Sequence, residues 1–520
     1  MRPTASIVLL LLVTALCLPS IYAQAPQLTA GQVVLEKVAT NGMVVPDTQF
    51  ALNMVEFSRM PYFMEGGTVV FWGSSKHGWR SGLFSAKDGQ IKTIVLARLG
   101  ATSLYAEGIP GPFDFLDPMD GNNSWFSTDI KAGGGVLYIT LRPGVFAQKK
   151  RSVCVWDGDK LRPVLWHGES AARLGDEKIK AAEVVTINPD GSAMIVYETE
   201  GGQSGLATHS KALGLRPLLS TASPLPGMPG VTILKDTFEP LFAQFGFAHR
   251  KGSKYKGPDV VTDRDWGWRY RLAPPTLLGD WLFLVVEPSS GHPFLARIGG
   301  GKTERIVEEE SADPTDPGFI ANDIRSFKAL TPDVAAVEVA DAKFAHHLLV
   351  SDRGKLSLVY QFPGWRSATE KQWRIFGQGV EDWAPLQAIT PGSKAFCVMA
   401  DRYDEYGVVT ARLVHCFDGT KLSNRATLGT SSGMRAIPGL PGVLVVTNSY
   451  TPPGRNATAQ ISNWLVNGNA VGQELQPAPE LFSNGEHKYT LGGVFGVDAA
   501  TKAVWLWLTD GYYKASGIVQ

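Results

Sequence analysis

Several short segments of the sequence mix aromatic rings with charged and imidazole side chains, a combination that suits the binding of sugars or peptides. Aromatic rings stack on apolar ligand faces, while Arg and Asp form charge-assisted hydrogen bonds with hydroxyl and carboxylate groups. The side chains that we expect to contact a ligand are His77, Trp79, Arg80, His292, His346, His347, Arg402, Tyr403, Asp404 and Tyr406. The alternative is a set of long polar loops held in place by their own aromatic residues.

Acid–base chemistry is a second use for the same segments. His77, His292, Asp404 and Glu405 carry groups that can accept or release a proton during a reaction. No residue near them in the sequence orients one against another, so no catalytic residue is predicted.

One catalytic motif matches literally. Residues 429–433 read Gly-Thr-Ser-Ser-Gly and fit the G-x-S-x-G pattern of a nucleophile elbow. That motif works only when a helix follows the serine. Pro438 and Pro441 follow instead and disfavour a helix, so we expect a loop without catalytic function.

Three aspartates, Asp114, Asp117 and Asp120, lie close together just before two asparagines. Calcium prefers about six to eight oxygen ligands, and this stretch offers most of them, although the EF-hand spacing and its closing Glu are missing. We expect either a structural calcium site or a solvated turn, and no other cofactor. Adjacent histidines such as His346 and His347 point to opposite faces of a strand, which disfavours a shared metal ion.

Cysteines are few, and their spacing fits no zinc site. Cys397 and Cys416 each lie in a β-rich run, and they fall directly opposite each other if these runs pair antiparallel about Tyr406-Gly407. Directly opposite side chains on paired strands are close enough for a disulfide. We therefore predict a Cys397–Cys416 disulfide, with two buried free thiols as the alternative, and no partner for Cys154.

The elements that must position these residues follow a repeat. A turn recurs along the chain just before a β-rich run, and its glycines are Gly89, Gly158, Gly214, Gly301, Gly354, Gly419 and Gly468. Asp-Gly and Asn-Gly are strong hairpin signals because both central positions of a type I′ turn need positive φ. A second turn lies about 20 to 30 residues upstream and introduces a stronger β run. Four strands per unit, repeated in series, predict an all-β propeller.

The number of units follows from the turns and the two ends of the chain. Seven turns, together with C-terminal β runs at residues 502–508 and 512–518, predict eight four-stranded blades, with seven as the alternative. The last blade lacks an outer strand, and residues 31–36 supply one, which would close the ring and leave no open edge there. A pair of β-sandwiches is the competing architecture. The unbroken series, without a linker, favours one propeller over residues 24–520.

Two turns resemble those of known propellers. Residues 188–192 (Asn-Pro-Asp-Gly-Ser) and 331–333 (Thr-Pro-Asp) resemble the Ser-Pro-Asp-Gly turns of TolB-like and prolyl-peptidase-like propellers. Because it covers only these short segments, the resemblance implies the fold and no activity. The dipeptide Trp156-Asp157 is faintly similar to the WD40 signature but occurs in a turn once, without the Gly-His partner.

A propeller would gather these loops at one end of its blades. We call this end the loop-rich face: it holds the connections between blades and the loops between second and third strands, such as residues 76–80, 291–293, 344–347 and 402–406. The tight turns lie on the opposite, short-turn face. An insertion at about residues 230–275, flanked by aromatic clusters, is expected to cap the channel or to bind a partner.

The N-terminus predicts export. Arg2, an apolar run over residues 7–18 and a cleavage region at 19–23 read as a signal peptide over residues 1–23. The run is shorter than the roughly 20 residues of a membrane span, and no later segment is long and apolar enough. Cys17 follows Leu16, which disfavours a lipoprotein signal. We expect a secreted or periplasmic chain without a membrane span.

Charge argues against one class of partner. Basic and acidic side chains number 49 each, so the chain lacks the positive excess that binding to nucleic acid requires. Two functions remain. The first is an exported propeller that binds a glycan, peptide or envelope protein through the loop-rich face. The second is an extracellular carbohydrate-active hydrolase or lyase whose acid and base come from separate blades of that face.

Overall fold

The structure is a computed structural model, and it describes part of the chain. The described residues are 34–45, 50–55, 61–64, 66–75, 81–97, 104–106, 108–109, 111, 113–115, 130–133, 135–143, 150–188, 190–242, 274–313, 316–340, 346–362, 372–375, 386–388, 392–403, 409–428, 432–436, 443–450, 459–466, 469–470, 491–498, 503–508 and 511–516. The predicted signal peptide lies outside these ranges.

These residues form β-strands, with three single-turn 3-10 helices at Ala172–Leu174, Lys235–Thr237 and Glu239–Leu241 within the described ranges. The first strands are β1 (Val34–Thr40), β2 (Val44–Val45), β3 (Phe50–Val55), β4 (Tyr62–Met64), β5 (Thr68–Ser75), β6 (Ser81–Lys87), β7 (Gln90–Ala97), β8 (Leu104–Tyr105), β9 (Phe113–Phe115), β10 (Ile130–Gly133), β11 (Val136–Pro143), β12 (Ser152–Trp156) and β13 (Leu161–Leu165). The middle strands are β14 (Ile179–Ile187), β15 (Ala193–Thr199), β16 (Ser204–Ser210), β17 (Gly214–Ser220), β18 (Thr276–Leu278), β19 (Trp281–Val286), β20 (Phe294–Gly299), β21 (Lys302–Glu308), β22 (Ser311–Asp313), β23 (Asp316–Ala321), β24 (Asp323–Thr331), β25 (Val334–Ala340), β26 (His346–Asp352) and β27 (Lys355–Phe362). The last strands are β28 (Gln372–Ile375), β29 (Leu386–Ala388), β30 (Phe396–Tyr403), β31 (Val409–Phe417), β32 (Leu422–Leu428), β33 (Ser432–Ala436), β34 (Val443–Tyr450), β35 (Ala459–Val466), β36 (Asn469–Ala470), β37 (Leu491–Asp498), β38 (Ala503–Leu508) and β39 (Gly511–Ser516).

Most strands assemble into four-stranded antiparallel units in which consecutive strands are neighbours. In chain order the units are unit 1 (β4–β7), unit 2 (β10–β13), unit 3 (β14–β17), unit 4 (β18–β21), unit 5 (β24–β27), unit 6 (β29–β32, with β28 also on β30), unit 7 (β33–β36) and unit 8 (β37–β39 with β1). Units 1 and 2 belong to one twelve-stranded sheet, in which β8 and β9 link them. The predicted all-β class and the repeat of four strands are confirmed.

Unit 8 joins the two ends of the chain. The N-terminal strand β1 pairs antiparallel with β39, from Val34 opposite Ser516 to Thr40 opposite Gly511. A side chain at Gly511 would collide with the carbonyl oxygen of Ala39, so the close approach of the two strands requires glycine there. The N-terminal segment therefore supplies the outer strand of the C-terminal unit.

The third-to-fourth-strand turns are of two kinds. Asp88 and Gly89 have φ values of 49° and 73°, as the predicted type I′ turn requires. The Asp-Gly turns at Asp157 and Asp418 differ, because these residues accept hydrogen bonds from backbone N–H groups two and three positions later. The longer turn arises because an aspartate carboxylate can replace a backbone acceptor.

A β-bulge recurs where the outer strand pairs with the third strand. One extra residue of the outer strand has no opposite partner there, and in chain order these residues are Val38, Ile94, Val164, Leu218, Ile306, Val359 and Arg425. The apolar ones pack into the core cluster between their own unit and the next. The bulge thus turns two consecutive side chains of the outer strand towards the following unit.

Core clusters lie between consecutive units rather than inside them. Separate clusters fill the spaces between units 1 and 2, 2 and 3, 3 and 4, 4 and 5, and 5 and 6. Another packs unit 8 against unit 1, where the ring of Tyr512 lies 5.5 Å from that of Phe71. Units 1 to 5 are therefore buried on both faces by their neighbours, as stacked sheets with apolar residues on both faces require.

The first part of the predicted insertion is a packed segment. Residues 221–242 follow β17, and Leu225, Ile233, Phe238 and Phe242 are buried in the cluster between units 3 and 4. The expectation of a channel cap is therefore wrong for residues 230–242, because their apolar side chains complete a core. Residues 243–273 lie outside the described ranges. No helix in the described ranges is long and apolar enough to span a membrane.

Candidate functional site

The loop-rich face of unit 3 is held together by contacts between its two kinds of loop. Glu177, in the connection that enters the unit, accepts a hydrogen bond from the hydroxyl of Thr199 at the end of the second strand. Thr199 in turn binds the backbone of Gln203 across the loop to the third strand. The connection and the loop are therefore fixed against each other.

Unit 4 repeats this arrangement with different residues. The hydroxyl of Ser289 accepts a hydrogen bond from the N–H of Thr232, with 3.0 Å between the atoms. Thr237 Oγ1 accepts the N–H of Glu287 at 2.8 Å, and both residues are buried. The packed segment over residues 221–242 is thus anchored to the loop between the second and third strands of unit 4.

An imidazole and a carboxylate meet at the exposed rim of unit 4. His292 Nδ1 lies 3.4 Å from Glu310 Oε2, and the side chains are 51% and 55% exposed. Glu310 has a φ of 58°, which is unusual for a residue other than glycine, and its N–H binds the carbonyl oxygen of Ala321. The N–H of Glu309 binds the carbonyl of Pro293, so both loops are held by backbone hydrogen bonds.

A buried ion pair lies where units 2, 3 and 4 meet. Arg151, at the start of β12, binds Glu183 of β14, and their side chains are 6% and 2% exposed. The guanidinium carbon lies 6.0 Å from the ring centre of Phe242 in the packed segment. A ligand cannot reach side chains with so little exposure. The pair therefore ties the start of β12 to β14 rather than binding a ligand itself.

A partly exposed ionic cluster lies between unit 3 and the packed segment over residues 221–242. Glu198 Oε1 accepts hydrogen bonds from Lys180 Nζ at 2.8 Å and from Lys235 Nζ at 2.9 Å. Burial raises the pKa of Glu198, but the two lysines outweigh it and hold that pKa below its ordinary value. Lys235 also lies 3.3 Å from Glu239. With both lysines engaged, the cluster is an attachment for the packed segment and not a free cationic site.

The short-turn face carries a clamp between units 4 and 5. Arg297 stacks on Trp281 with 3.5 Å from the guanidinium carbon to the ring centre. Its nitrogens donate to Glu304 and to Asp333, each at 2.6 Å, and to the carbonyl oxygen of Pro332. Asp333 and Pro332 belong to the turn before β25, so Arg297 ties the two units together.

A tyrosine–histidine contact links units 2 and 3 on the same face. The fully buried hydroxyl of Tyr138 donates to the carbonyl oxygen of His209 at 2.9 Å and lies 3.0 Å from its Nδ1. Burial raises the pKa of Tyr138 to about 12 and lowers the pKa of His209. Both groups are therefore neutral near pH 7.

The sequence-predicted ligand residues other than His347 fall into three groups. His77, Trp79, Arg80, Asp404 and Tyr406, with the proposed calcium ligands Asp117 and Asp120, lie outside the described residues. His346 begins β26, Arg402 and Tyr403 end β30, and Asp114 lies in β9, with only their backbone described. His292 is exposed at the loop-rich face. Within the described ranges no three His, Cys, Asp or Glu side chains form a group that could hold a metal ion.

His347 requires a correction. It was expected in a ligand-binding loop, but it is the second residue of β26 and is fully buried. Its ring stacks on Phe319 at 3.6 Å between ring centres. Alternation along the strand turns this side chain towards unit 4, where aromatic packing excludes a ligand. The G-x-S-x-G segment continues into strand β33 from Ser432, without the helix that a nucleophile elbow needs.

Sequence reasoning missed Glu183, Glu287 and Glu310 at this face. A carboxylate inside a β-rich run is the signal that would have found Glu183, because an unpaired charge is costly to bury. Glu310 follows two other glutamates, and nothing in the sequence distinguishes it from them.

Comparisons with known proteins do not identify a relative. No family model and no curated protein matches the chain. Among solved structures, the propeller domain of the Trilobed protease from Pyrococcus furiosus has a TM-score of 0.34 at 10% identity and covers 82% of this chain and 100% of its own. The BP39L lectin from Burkholderia pseudomallei has 0.28 at 10% identity, with 76% and 94% covered. A putative TolB from Agrobacterium tumefaciens has 0.23 at 12% identity, with 57% and 82% covered.

The chain is similar to β-propellers. The TM-scores are too low to add to the strand pairing, which alone defines the four-stranded units. What the lectin or the protease binds is a property of those proteins.

Proposed function

We propose that the chain is an exported β-propeller of eight blades, closed into a ring by its N-terminal strand. Two contacts support this closure: β1 completes unit 8, and the side chains of unit 8 pack against those of unit 1. The seven bulges at equivalent places in the outer strands support equivalent blades, with the short β36 as the exception. Each unit then corresponds to one blade.

The proposed function of this propeller is to bind a glycan or a protein outside the cell through its loop-rich face. The observation that carries the proposal is a set of hydrogen bonds between the connections that enter units 3 and 4 and the loops between their second and third strands. These hydrogen bonds join Glu177 to Thr199, Thr232 to Ser289 and Glu287 to Thr237. Loops held in this way form a preorganised surface, which lowers the entropic cost of binding. On the short-turn face, tight turns leave little room for such a surface.

The test is a screen of the mature chain, residues 24–520, on a glycan array and against extracellular proteins. Alanine at Trp79, Arg80, Tyr403 and Tyr406 together should abolish binding with little change in melting temperature, because loop side chains contribute little to the core. The matched control places alanine at Lys160, Arg162 and Lys421 of the short-turn face and should bind normally. If a ligand binds the loop variant as well as the wild type, the wrong face has been chosen.

The second candidate is a carbohydrate-active hydrolase or lyase. The exposed pair of His292 and Glu310 favours it, because a carboxylate beside Nδ1 can orient an imidazole whose other nitrogen accepts a proton. Incubation with a panel of polysaccharides, with detection of new reducing ends, tests this function. Product release that His292→Ala removes supports an enzyme, whereas intact polysaccharides in every reaction favour the binding function.

A further inference from the structure

Arg425 breaks the most regular pattern in the molecule. At the extra position of the outer-strand bulge, six units carry valine, isoleucine or leucine, and unit 6 carries this arginine. In unit 5 the equivalent Val359 packs against the cluster between units 5 and 6. By the same register, Arg425 faces the seam between units 6 and 7, where β32 lies beside β36.

No described residue supplies a counter-charge to the guanidinium there. The Nε of Arg425 is buried and has no hydrogen-bond partner among the described residues. The residue as a whole is partly exposed, so the rest of its side chain remains in reach of solvent. The two arginines that are buried as whole residues in the described ranges have partners: Arg297 has four polar or aromatic ones, and Arg151 binds Glu183.

This arrangement costs stability that an apolar residue would not cost. A buried N–H without an acceptor loses its hydration and gains nothing in exchange. Where one position departs from a pattern that its equivalents keep, function is the usual reason. An oxyanion would accept this N–H, and a planar carboxylate matches the guanidinium fork, in which Nε and one terminal nitrogen donate in parallel.

We propose that the seam between units 6 and 7 is a binding site for the carboxylate of a ligand, with Arg425 as its anchor. The site lies on the flank of the propeller, where neighbouring units meet, and is separate from the loop-rich face. An acidic sugar and an acidic amino-acid side chain both present this group. The two sources share the chemistry and differ in what surrounds the carboxylate.

The experiment compares melting temperatures of the mature chain in galacturonate, acetylglutamate, inorganic phosphate, neutral galactose and chloride, with ionic strength held constant. Galacturonate or acetylglutamate should raise the melting temperature above the value in chloride, and the stronger of the two identifies the source. Galactose should have no effect, and phosphate should act more weakly than a carboxylate. A larger effect of phosphate would overturn the assignment of carboxylate.

The variant Arg425→Leu restores the apolar residue of the other units. Without ligand it should melt at the wild-type temperature or above it, and it should lose the carboxylate response. Arg425→Lys should bind roughly tenfold or more weakly, because an ammonium lacks the fork. Arg216→Leu, at an exposed arginine of outer strand β17, is the matched control and should respond like the wild type.

Three results would contradict the proposal. The first is a wild-type protein that responds to carboxylates no more than to chloride. The second is an Arg425→Leu protein with an undiminished response. The third is an Arg425→Leu protein that melts several degrees lower without ligand, because Arg425 would then be paired within the protein and serve its stability.

Discussion

Cys397 of β30 lies directly opposite Cys416 of β31, and a disulfide joins them. The same register places Phe396 opposite Phe417, whose rings are 5.3 Å apart between centres. Both cysteines are buried, so the bond crosses the interior of unit 6. Cys154 is buried and free in the structure, and burial raises the pKa of its thiol.

Replacing both cysteines of the pair with alanine should lower stability only moderately. The bond closes a loop with a sequence separation of 19, and the strand ladder already holds its ends together. We expect a loss below the about 3 kcal/mol of the chain-entropy model. Calorimetry of oxidised, reduced and variant proteins measures it. Mass spectrometry of non-reduced peptides checks the linkage, and alkylation of all three mature thiols without reductant, after denaturation, would contradict it.

Removing Arg297 should weaken the contact between units 4 and 5. Arg297→Ala removes the guanidinium from Glu304 and Asp333, which keep only the more exposed Lys302 and Arg353, and it removes the stacking on Trp281. Because both carboxylates are partly exposed, we expect a loss of about 2 to 3 kcal/mol rather than the full cost of a buried pair. The control is Arg305→Ala, which removes a partly exposed pair with Glu308 and a contact with the Phe294 ring, together worth about 1 kcal/mol. Equal losses for both variants in denaturant titrations would refute the clamp.

Deleting residues 24–38 should unfold or aggregate the protein, or lower its melting temperature by more than about 5 °C. The deletion removes most of β1, exposes the edge of β39 and takes Val38 from the cluster between units 8 and 1. Deleting only residues 24–33, which stops before β1, is the control and should be tolerated. If the protein without residues 24–38 has the same melting temperature as the full mature chain, ring closure by this strand is excluded.

Acid should loosen the contact between units 2 and 3 through His209. Its pKa is lowered by burial from an ordinary 6.5, so in the pH range just below 6.5 the unfolded chain binds a proton that the folded chain does not. The stability that neutral His209 contributes is present above that range and falls as the pH falls through it. His209→Gln should therefore lose less melting temperature than the wild type between pH 7.5 and pH 5.5. Identical pH profiles would show that His209 does not carry this dependence, and His415, whose pKa burial also lowers, is the next variant to measure.

Much of the fold could be predicted because turns and alternating strands are local signals. Asp88-Gly89 forms the predicted type I′ turn, and the two C-terminal β runs became β38 and β39. The register of Cys397 and Cys416 followed from strand pairing alone. The Asp157 and Asp418 turns were longer than expected, since a carboxylate that caps backbone N–H groups competes with the two-residue hairpin.

The candidate site was less predictable because its residues come from different units. His347 sits beside a loop in the sequence, yet its ring is buried against Phe319 of β23, which only the packing of strands reveals. Phe238 and Phe242 read as part of an insertion, but they complete the core between units 3 and 4. The partner of His292 is Glu310, which lies across two strands and a connection.

The sequence by itself determined the β class, the four-strand repeat and the positions of most turns, because each depends on residues within a few positions of one another. Tertiary structure decided which polar side chains are buried and which partners they bind. Arg297 and Arg425 are both arginines on strands next to tight turns, yet one is clamped between Glu304 and Asp333, and the other faces the next unit with its Nε unbonded. That difference arises from the neighbouring unit, because a side chain on a stacked sheet has its electrostatic surroundings set by residues distant in the sequence.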